Sequence, residues 1–440
     1  MSKLFSRLWN DKRGNALLIA GAALPMLVGS AGLATDTIQW VLVKRQLQRS
    51  ADSAAIAAVY QRQRADTQTA VETAVTTDLT KNQHTGYALL TGFPAVTRLA
   101  NNGVQNQPVQ VSLAVRPTLA FASLFLPQGP QITANATAAS VPGHDEYCII
   151  SLENSATKVG IKGTGNASVE MDCGGITNAT GSNSAAANGS AKMKMSVIAS
   201  VGGIQQSNNW EVGKYDPYIT AIADPYAAVG PQPSDMKCAK GSGNGNNAYL
   251  ALDENTNLAT AVDASNAKAN CFTSLSVGSN KTLNLPAGIY YINGGDATIQ
   301  GKITGTGVTI VLTNSDSSTT ATIGNFKMNA GAELNLTAPV AGPYAGIAIY
   351  QDRRATDSNG GSSPNKINGN SSSSVVGALY FPKQELEYNG DGTLTAVCTR
   401  FVTRRIVFSG NNTTSNKFAK DCPGTGLGDI EGGRLVRLVA

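Results

Sequence analysis

The feature that most limits how this chain can fold is an uncharged run near its beginning. Arg13 and Asp36 enclose the segment 14–35, which has no charged side chain. As an α-helix this run would be about 33 Å long, enough to cross a hydrocarbon core of roughly 30 Å. The sequence therefore predicts a transmembrane helix over 14–35, with Arg13 and Gly14 at one membrane boundary and Asp36 and Trp40 at the other.

Basic residues before the run predict its orientation. Lys3, Arg7, Lys12 and Arg13 precede it, and the positive-inside rule places 1–13 in the cytoplasm. A cleaved signal peptide is the alternative interpretation. The apolar part is long for such a peptide, and no convincing Ala-x-Ala cleavage site precedes the charged end of the run. We therefore favour an uncleaved, single-pass membrane anchor.

The helical pattern continues beyond the membrane boundary. No Gly or Pro interrupts 36–82, and apolar and Ala positions recur at helical spacing, which predicts an amphipathic helical stem. Trp40 is expected near the water interface. Asp36 is interpreted as the residue that ends the span, or alternatively as a partner for a positive charge on a neighbouring subunit.

The six cysteines are widely spaced, and none forms a Cys-x-x-Cys pair. With only two histidines, His84 and His144, a zinc site of the usual spacing is not expected. An even set of this kind favours disulfides in an oxidising compartment, although six cysteines allow fifteen connectivities. Pairing sequence neighbours predicts three bridges, namely Cys148 with Cys173, Cys238 with Cys271, and Cys398 with Cys422.

Two segments near the N-terminus resemble a known family. "RGNALLIAGAALPMLVGSAGLATD" and "KRQLQRSADSAAIAA" are similar to the N-terminal region of TadG-like proteins, which belong with the TadE, TadF and TadG group of the bacterial tight-adherence (Flp, type IVb) pilus. Pilins of that system are cut after a Gly and carry Glu at the fifth following position. Here Ile19 occupies that position after Gly14, so the resemblance implies an uncleaved anchor rather than a fibre subunit.

The rest of the chain reads as mostly β-structure. Alternation at Val109, Val111, Leu113 and Val115 predicts a half-buried strand, and a small pilin-like α+β module is expected over 83–147. Beyond it, short apolar pieces are separated by Gly and Asn.

Apolar positions in this region recur at a fixed interval. Ile299, Ile323 and Ile347 are evenly spaced, and Ile310 precedes Leu334 by the same interval. A period in the twenties is typical of solenoids. Because the Leu-x-x-Leu-x-Leu pattern of leucine-rich repeats is absent, we predict a parallel β-helix over 148–422. A Pro/Gly-rich insertion is expected near 210–247 and a tail over 423–440.

Many β-helix proteins act on polysaccharides, so the acidic residues of this region are candidate catalytic groups. They are Asp352 beside Arg353 and Arg354, Glu385 with Glu387, and Asp391. Each is interpreted as a solvated turn or strand edge, and His144 as a residue at a domain junction. We therefore predict no catalytic residue, no metal site, no cofactor and no enzymatic activity.

Six tyrosines fall within the predicted solenoid. They are Tyr290, Tyr291, Tyr344, Tyr350, Tyr380 and Tyr388. We favour packing of these side chains in the solenoid core or at its corners over an outer face that binds glycans.

The functional expectation follows from the anchor and the resemblance. Net charge is only +5 over 440 residues, and no basic cluster is interleaved with aromatics, so nucleic acid is not an expected partner. The resemblance implies a non-enzymatic, membrane-anchored role in assembling or anchoring a Tad/Flp pilus, with pilus-assembly proteins as partners and surface adhesion as the outcome. The bulk of the chain would be periplasmic or surface-exposed. The alternatives are a membrane-tethered carbohydrate-active enzyme and an adhesin that binds surface glycans.

Overall fold

The computed structural model has two compact units. It describes residues 12–82, 86–124, 126–143, 146–239, 250–357, 365–369, 373–390, 393–411, 413–418, 422, 424–428, 430 and 432–439. The first unit comprises Met1–Val141 with Leu435–Ala440, and the second comprises Pro142–Arg434.

Two helices begin the first unit. Helix α1 spans Lys12–Arg64 and continues through Pro25, and helix α2 spans Gln68–Asn82. In the part of α1 whose side chains are described, from Ile19 onwards, length and composition are sufficient for a membrane crossing. Large apolar side chains such as Leu27, 67% exposed, find no protein cover there.

The continuous stem predicted over 36–82 is corrected to two helices that fold back on one another. The chain turns at 65–67, where the Thr67 hydroxyl accepts a hydrogen bond from the Ala70 N–H and caps α2. Folding back buries the apolar face of α2, formed by Val71, Val75 and Leu79, against the Ala-rich face of α1. One long helix would leave that face in water.

A four-stranded sheet completes the first unit, in the order β1-β2-β3-β26. Its strands are β1 (Ala95–Arg98), β2 (Asn106–Val115), β3 (Ile132–Gly143) and β26 (Gly432–Leu438). Strand β2 pairs antiparallel with both β1 and β3. The strand predicted from alternation is confirmed, since the four residues that carried the prediction are fully buried against the helices.

The second unit is built on parallel strands. Its first seven strands are β4 (Tyr147–Ser151), β5 (Ile161–Gly163), β6 (Ser168–Met171), β7 (Gly174–Thr177), β8 (Ala185–Ala187), β9 (Lys192–Ser200) and β10 (Trp210–Pro217). The next eight are β11 (Cys271–Phe272), β12 (Leu275–Val277), β13 (Thr282–Leu285), β14 (Gly288–Asn293), β15 (Ala297–Ile299), β16 (Lys302–Thr306), β17 (Val308–Thr313) and β18 (Phe326–Met328). The last seven are β19 (Glu333–Thr337), β20 (Ile347–Gln351), β21 (Asn365–Gly369), β22 (Ser374–Gly390), β23 (Thr393–Val397), β24 (Thr399–Ser409) and β25 (Thr413–Lys417).

Most of these strands pair with strands two or three further along the chain, although β9 pairs with β10 and β21 with β22. The pairing produces long parallel ladders. The longest ladder runs β11-β14-β17-β20-β22-β24-β4-β7-β9-β10. A second follows the order β12-β15-β18-β21-β22-β24-β5-β8. In both, the last strands of the unit pair directly with its first, so the N-terminal strands lie in the middle of the stack.

The predicted fixed interval between stacked residues is wrong. Ile299 pairs with Met328 rather than with Ile323, and Ile310 pairs with Ile349 rather than with Leu334. The spacing between stacked residues varies because the connections between strands absorb different lengths of chain. The apolar pieces were correctly identified as strands, but their stacking partners were not.

The chain must cross the whole stack between β10 and β11. Strand β10 lies at one end of the stack and β11 at the other. We call the first part of the connection between them, residues 218–236, the strap. The strap lies within the predicted insertion, 210–247. The first part of that range, Trp210–Pro217, is not an insertion but a ladder strand paired with β9.

Candidate functional site

The strap contacts two tyrosines in a column of side chains on the longest ladder. Tyr291, Val311, Tyr350, Tyr380 and Val402 are successive register partners in this column. The Tyr350 hydroxyl donates to the Val229 carbonyl of the strap at 2.9 Å, and the Tyr380 hydroxyl donates to the Asp224 carboxylate at 2.6 Å. An aromatic surface that would otherwise face solvent is therefore buried beneath the strap.

Arg353 holds the strap in place. Its guanidinium lies over the Tyr380 ring, 5.3 Å from the centroid, and donates to the Val229 carbonyl at 2.6 Å. It also bonds the Tyr226 carbonyl and pairs with the Asp224 carboxylate at 3.3 Å. Arg353 follows the candidate catalytic residue Asp352 in the sequence, but in the structure it clamps the strap.

All six tyrosines singled out in the sequence are buried, with at most 7% of any of them exposed. Their interpretation as packing residues is confirmed. Burial raises the pKa of Tyr290 to about 12 and raises the pKa values of Tyr344, Tyr350 and Tyr380 as well. These six positions supply no outer face on which a sugar ring would stack.

The candidate carboxylates are held by separate partners. Asp352 pairs with Arg354 at 2.7 Å and accepts a hydrogen bond from the Thr313 hydroxyl at 2.7 Å. Burial alone would raise the pKa of Asp352, but the hydrogen bonds from Arg354 and Thr313 and the Arg354 charge together lower it. An acid held ionised in this way is a poor proton donor near neutral pH.

Glu385 and Glu387 both lie on β22, and each is bonded to residues of neighbouring strands. Glu385 pairs with Arg405 at 2.9 Å, and Glu387 accepts from the Ser409 hydroxyl at 2.9 Å and pairs with Lys366 at 3.4 Å. Asp391, His84 and His144 lie outside the described residues. Within the described part of the chain, no group of three or more His, Cys, Asp or Glu side chains is arranged to hold a metal ion.

A cluster of buried and half-buried charges, not expected from the sequence, lies where β24 meets β4. Glu153, fully buried, accepts from Arg405 at 2.6 Å and from Arg404 at 3.0 Å. Arg405 also pairs with Asp357 at 2.7 Å. We call these residues, with Glu385, the junction cluster. Two adjacent arginines inside the apolar strand "FVTRRIVF" are the feature of the sequence that indicates buried charge. Their shared partner, Glu153, lies near the other end of the second unit in sequence, so the pairing could not be predicted.

The three disulfides join the pairs expected from sequence neighbours. Cys148 is bonded to Cys173, Cys238 to Cys271, and Cys398 to Cys422, and no described cysteine is free. The Cys238–Cys271 bond ties the chain just after the strap to β11, so a covalent bond fixes the point at which the returning chain rejoins the stack.

Asp36 has a contact that neither sequence interpretation anticipated. Its side chain is only 4% exposed and accepts hydrogen bonds from the backbone N–H groups of Phe121, at 3.0 Å, and Ala122. These donors begin a 3₁₀ turn, Ala122–Leu124, in the loop between β2 and β3. Trp40, one turn further along α1, is 43% exposed. Arg13 and Gly14 lie in α1, where their side chains are not described.

An open groove of about 740 Å³ runs between α1 and α2. Small and polar side chains line it, including Ala57 and Gln61 on α1 and Ala70, Thr73 and Ala74 on α2. At one end the Ser53 hydroxyl bonds Asp78 at 3.1 Å, which joins the two helices. Small side chains let another helix approach closely.

Comparison with known proteins locates a family in this same region. Residues 14–75 match the family model Tad, described as "Putative Flp pilus-assembly TadE/G-like". The N-terminal region is therefore TadE/G-like, as the resemblance predicted. The match covers α1 from Gly14 and the first half of α2, including most of the groove. No curated protein and no solved structure matches the chain.

Proposed function

From the TadE/G-like character of its N-terminal region, we propose that this chain is a non-enzymatic, membrane-anchored component of Tad/Flp pilus assembly or anchoring, with surface adhesion as the cellular outcome. The observation that carries the proposal is the family match over 14–75. That segment contains the helix apolar enough to cross a membrane. The anchor crosses the bacterial inner membrane once, with 1–13 in the cytoplasm.

The second unit is, in this proposal, a parallel β-helix outside the cytoplasm. Support comes from the two parallel ladders, which share the long strands β22 and β24. Each of these strands takes part in both ladders, as expected where the chain passes from one face of a coil to the next. The three disulfides support an oxidising compartment such as the periplasm. The strap and the junction cluster would make this unit a rigid body that acts by contact.

The pairing of the carboxylates supports a non-enzymatic role. Asp352, Glu385 and Glu387 each have structural partners, and Asp352 and Glu385 are held by different arginines. Glycosidase chemistry needs two carboxyl groups facing one substrate across a shared space. The adhesin alternative loses its main candidate surface because the tyrosine column is covered.

The groove between α1 and α2 is proposed as the contact face for the pilus-assembly machinery. It lies largely within the family-matched segment, and its small side chains suit the approach of a partner helix. Ala74 on α2 is half-buried and lines the groove, whereas Thr76 on the same helix is exposed and does not.

Affinity purification in mild detergent tests this function. Tagged full-length protein is recovered from its own membranes and the co-purifying proteins are identified by mass spectrometry. We expect Tad platform, secretin or pilin components above an untagged control. Ala74→Gln should reduce their recovery, and Thr76→Gln, on the other face of α2, should not. Failure to recover any such component with intact, abundant bait contradicts the proposal.

A further inference from the structure

The loop between β2 and β3 is unusually apolar for a connection in water. Residues 117–130, which we call the apolar loop, contain no Asp, Glu, Lys or Arg. Leu126 in this loop is 50% exposed. Connections at a protein surface normally carry polar residues because water is their environment. The composition of this loop instead matches the exposed apolar surface of α1.

The apolar loop is docked on α1 at a defined height. The Phe121 ring packs directly on Gly32, and a Cβ at Gly32 would collide with that ring. One turn further along α1, the Asp36 carboxylate accepts the N–H groups of Phe121 and Ala122. Close packing and two charge-assisted hydrogen bonds fix the loop at the level of Gly32 to Asp36.

That level coincides with the end of the proposed membrane span. Gly32 lies inside 14–35 and precedes Asp36 by about 6 Å along the helix axis. Gly32 is therefore about 27 Å from Gly14 along α1, close to the far boundary of a hydrocarbon core of roughly 30 Å. Phe121 lies beside it, at the same height.

We propose that the apolar loop is a second membrane contact, inserted into the lipid leaflet at the Asp36 end of α1. This inference rests on the proposed function, because it requires α1 to be a membrane anchor. It also explains why a buried carboxylate stands at this position. Backbone N–H groups at the start of a 3₁₀ turn find no acceptor in lipid, and Asp36 supplies one.

Depth-dependent quenching tests the proposal on the full-length protein. All six cysteines are disulfide-bonded, so an introduced cysteine provides a unique thiol for a fluorescent label. Leu126→Cys reports the loop, and Leu27→Cys reports the span. Val104→Cys is the matched control, because Val104 is exposed and apolar but lies beyond the opposite end of β2, a strand that extends about 33 Å.

Purified proteins are reconstituted in phosphatidylethanolamine and phosphatidylglycerol vesicles that carry nitroxide-labelled lipids. We expect shallow acyl-chain nitroxides to quench the label at 126 at least threefold more than the label at 104, and deep nitroxides to quench the label at 27. If 126 behaves like 104 while 27 is quenched, the loop proposal is overturned. If 27 is also unquenched, the anchor itself fails.

A second variant tests the docking role of Asp36. In the Leu126→Cys background, Asp36→Ala should reduce quenching at 126 to the level of the control position, with helix content unchanged. Thr37→Ala is the matched change, since Thr37 is exposed and its hydroxyl bonds only the Leu33 carbonyl of its own helix among the contacts described. Equal quenching in the Asp36 and Thr37 variants would overturn the assignment of Asp36 as the residue that positions the loop.

Discussion

Replacing Arg405 by Met tests whether the junction cluster joins the two ends of the chain in the second unit. The Arg405 side chain is 6% exposed and contacts three carboxylates, those of Glu153, Asp357 and Glu385. Met has a similar length but carries no charge. Removing one partner of a buried ion pair typically costs about 3–5 kcal/mol.

The expected magnitude lies at the lower end of that range. Glu153 stays fully buried in the variant but keeps Arg404 at 3.0 Å and the N–H groups of Asn154 and Ser155. We therefore expect a loss of about 3 kcal/mol. The second unit spans Pro142–Arg434, and at about 2.1 cal/mol/K per residue this loss lowers its Tm by about 5 °C.

Differential scanning calorimetry of the detergent-solubilised full chain measures this change. Lys194→Met is the control, because Lys194 pairs with Glu170 on the surface, where both side chains are more than half exposed, and no measurable shift is expected. Coupling gives a second check, since Glu153→Gln combined with Arg405→Met should cost less than the sum of the single variants. A Tm for Arg405→Met within about 1 °C of wild type refutes the reasoning.

Three further predictions concern the second unit. Burial alone would raise the pKa of Glu153 above its usual 4.5, but the hydrogen bonds from Arg404, Arg405 and the Ser155 N–H, with the Arg404 charge, together lower it. Its ionisation therefore stabilises the fold above that pH, and Tm should fall as pH drops below about 4.5, less steeply in Glu153→Gln. Replacing both Cys238 and Cys271 by Ser opens a loop with a sequence separation of 33 and should cost about 3–4 kcal/mol, measurable by urea unfolding. Arg353→Met should expose the strap to limited proteolysis near 226–229 while the parallel strands stay protected; equal cleavage rates in wild type and variant would contradict its role as a clamp.

Local patterns in the sequence were sufficient for several elements. The uncharged run predicts the apolar helix, alternation predicts β2, and sequence proximity predicts the disulfides. Each of these depends on residues that are neighbours along the chain or on a period set by backbone geometry. The turn between α1 and α2 was missed because Ala65, Asp66 and Thr67 include neither Gly nor Pro.

The stacking order was beyond local pattern. Nothing in the sequence indicates that β24 pairs with β4, because the Phe401–Ile149 partnership joins positions from opposite ends of the second unit. The strap follows from that order, since a chain whose last strands stack on its first must cross the stack once. Asp36 was missed for the same reason, because its partners in the apolar loop lie beyond α2 and two strands of the sheet.

The central claim is that the chain supports a Tad pilus without catalysing a reaction, and one cellular measurement tests it most directly. Pilin is quantified in the sheared surface fraction and in whole cells of a deletion strain complemented with wild type or with Glu387→Gln/Asp391→Asn. We predict that deletion abolishes surface pilin while cellular pilin remains, and that wild type and the double variant restore it equally. Unchanged surface pilin in the deletion strain would contradict the pilus role, and restoration by wild type alone, with the double variant present at equal level, would contradict the non-enzymatic one.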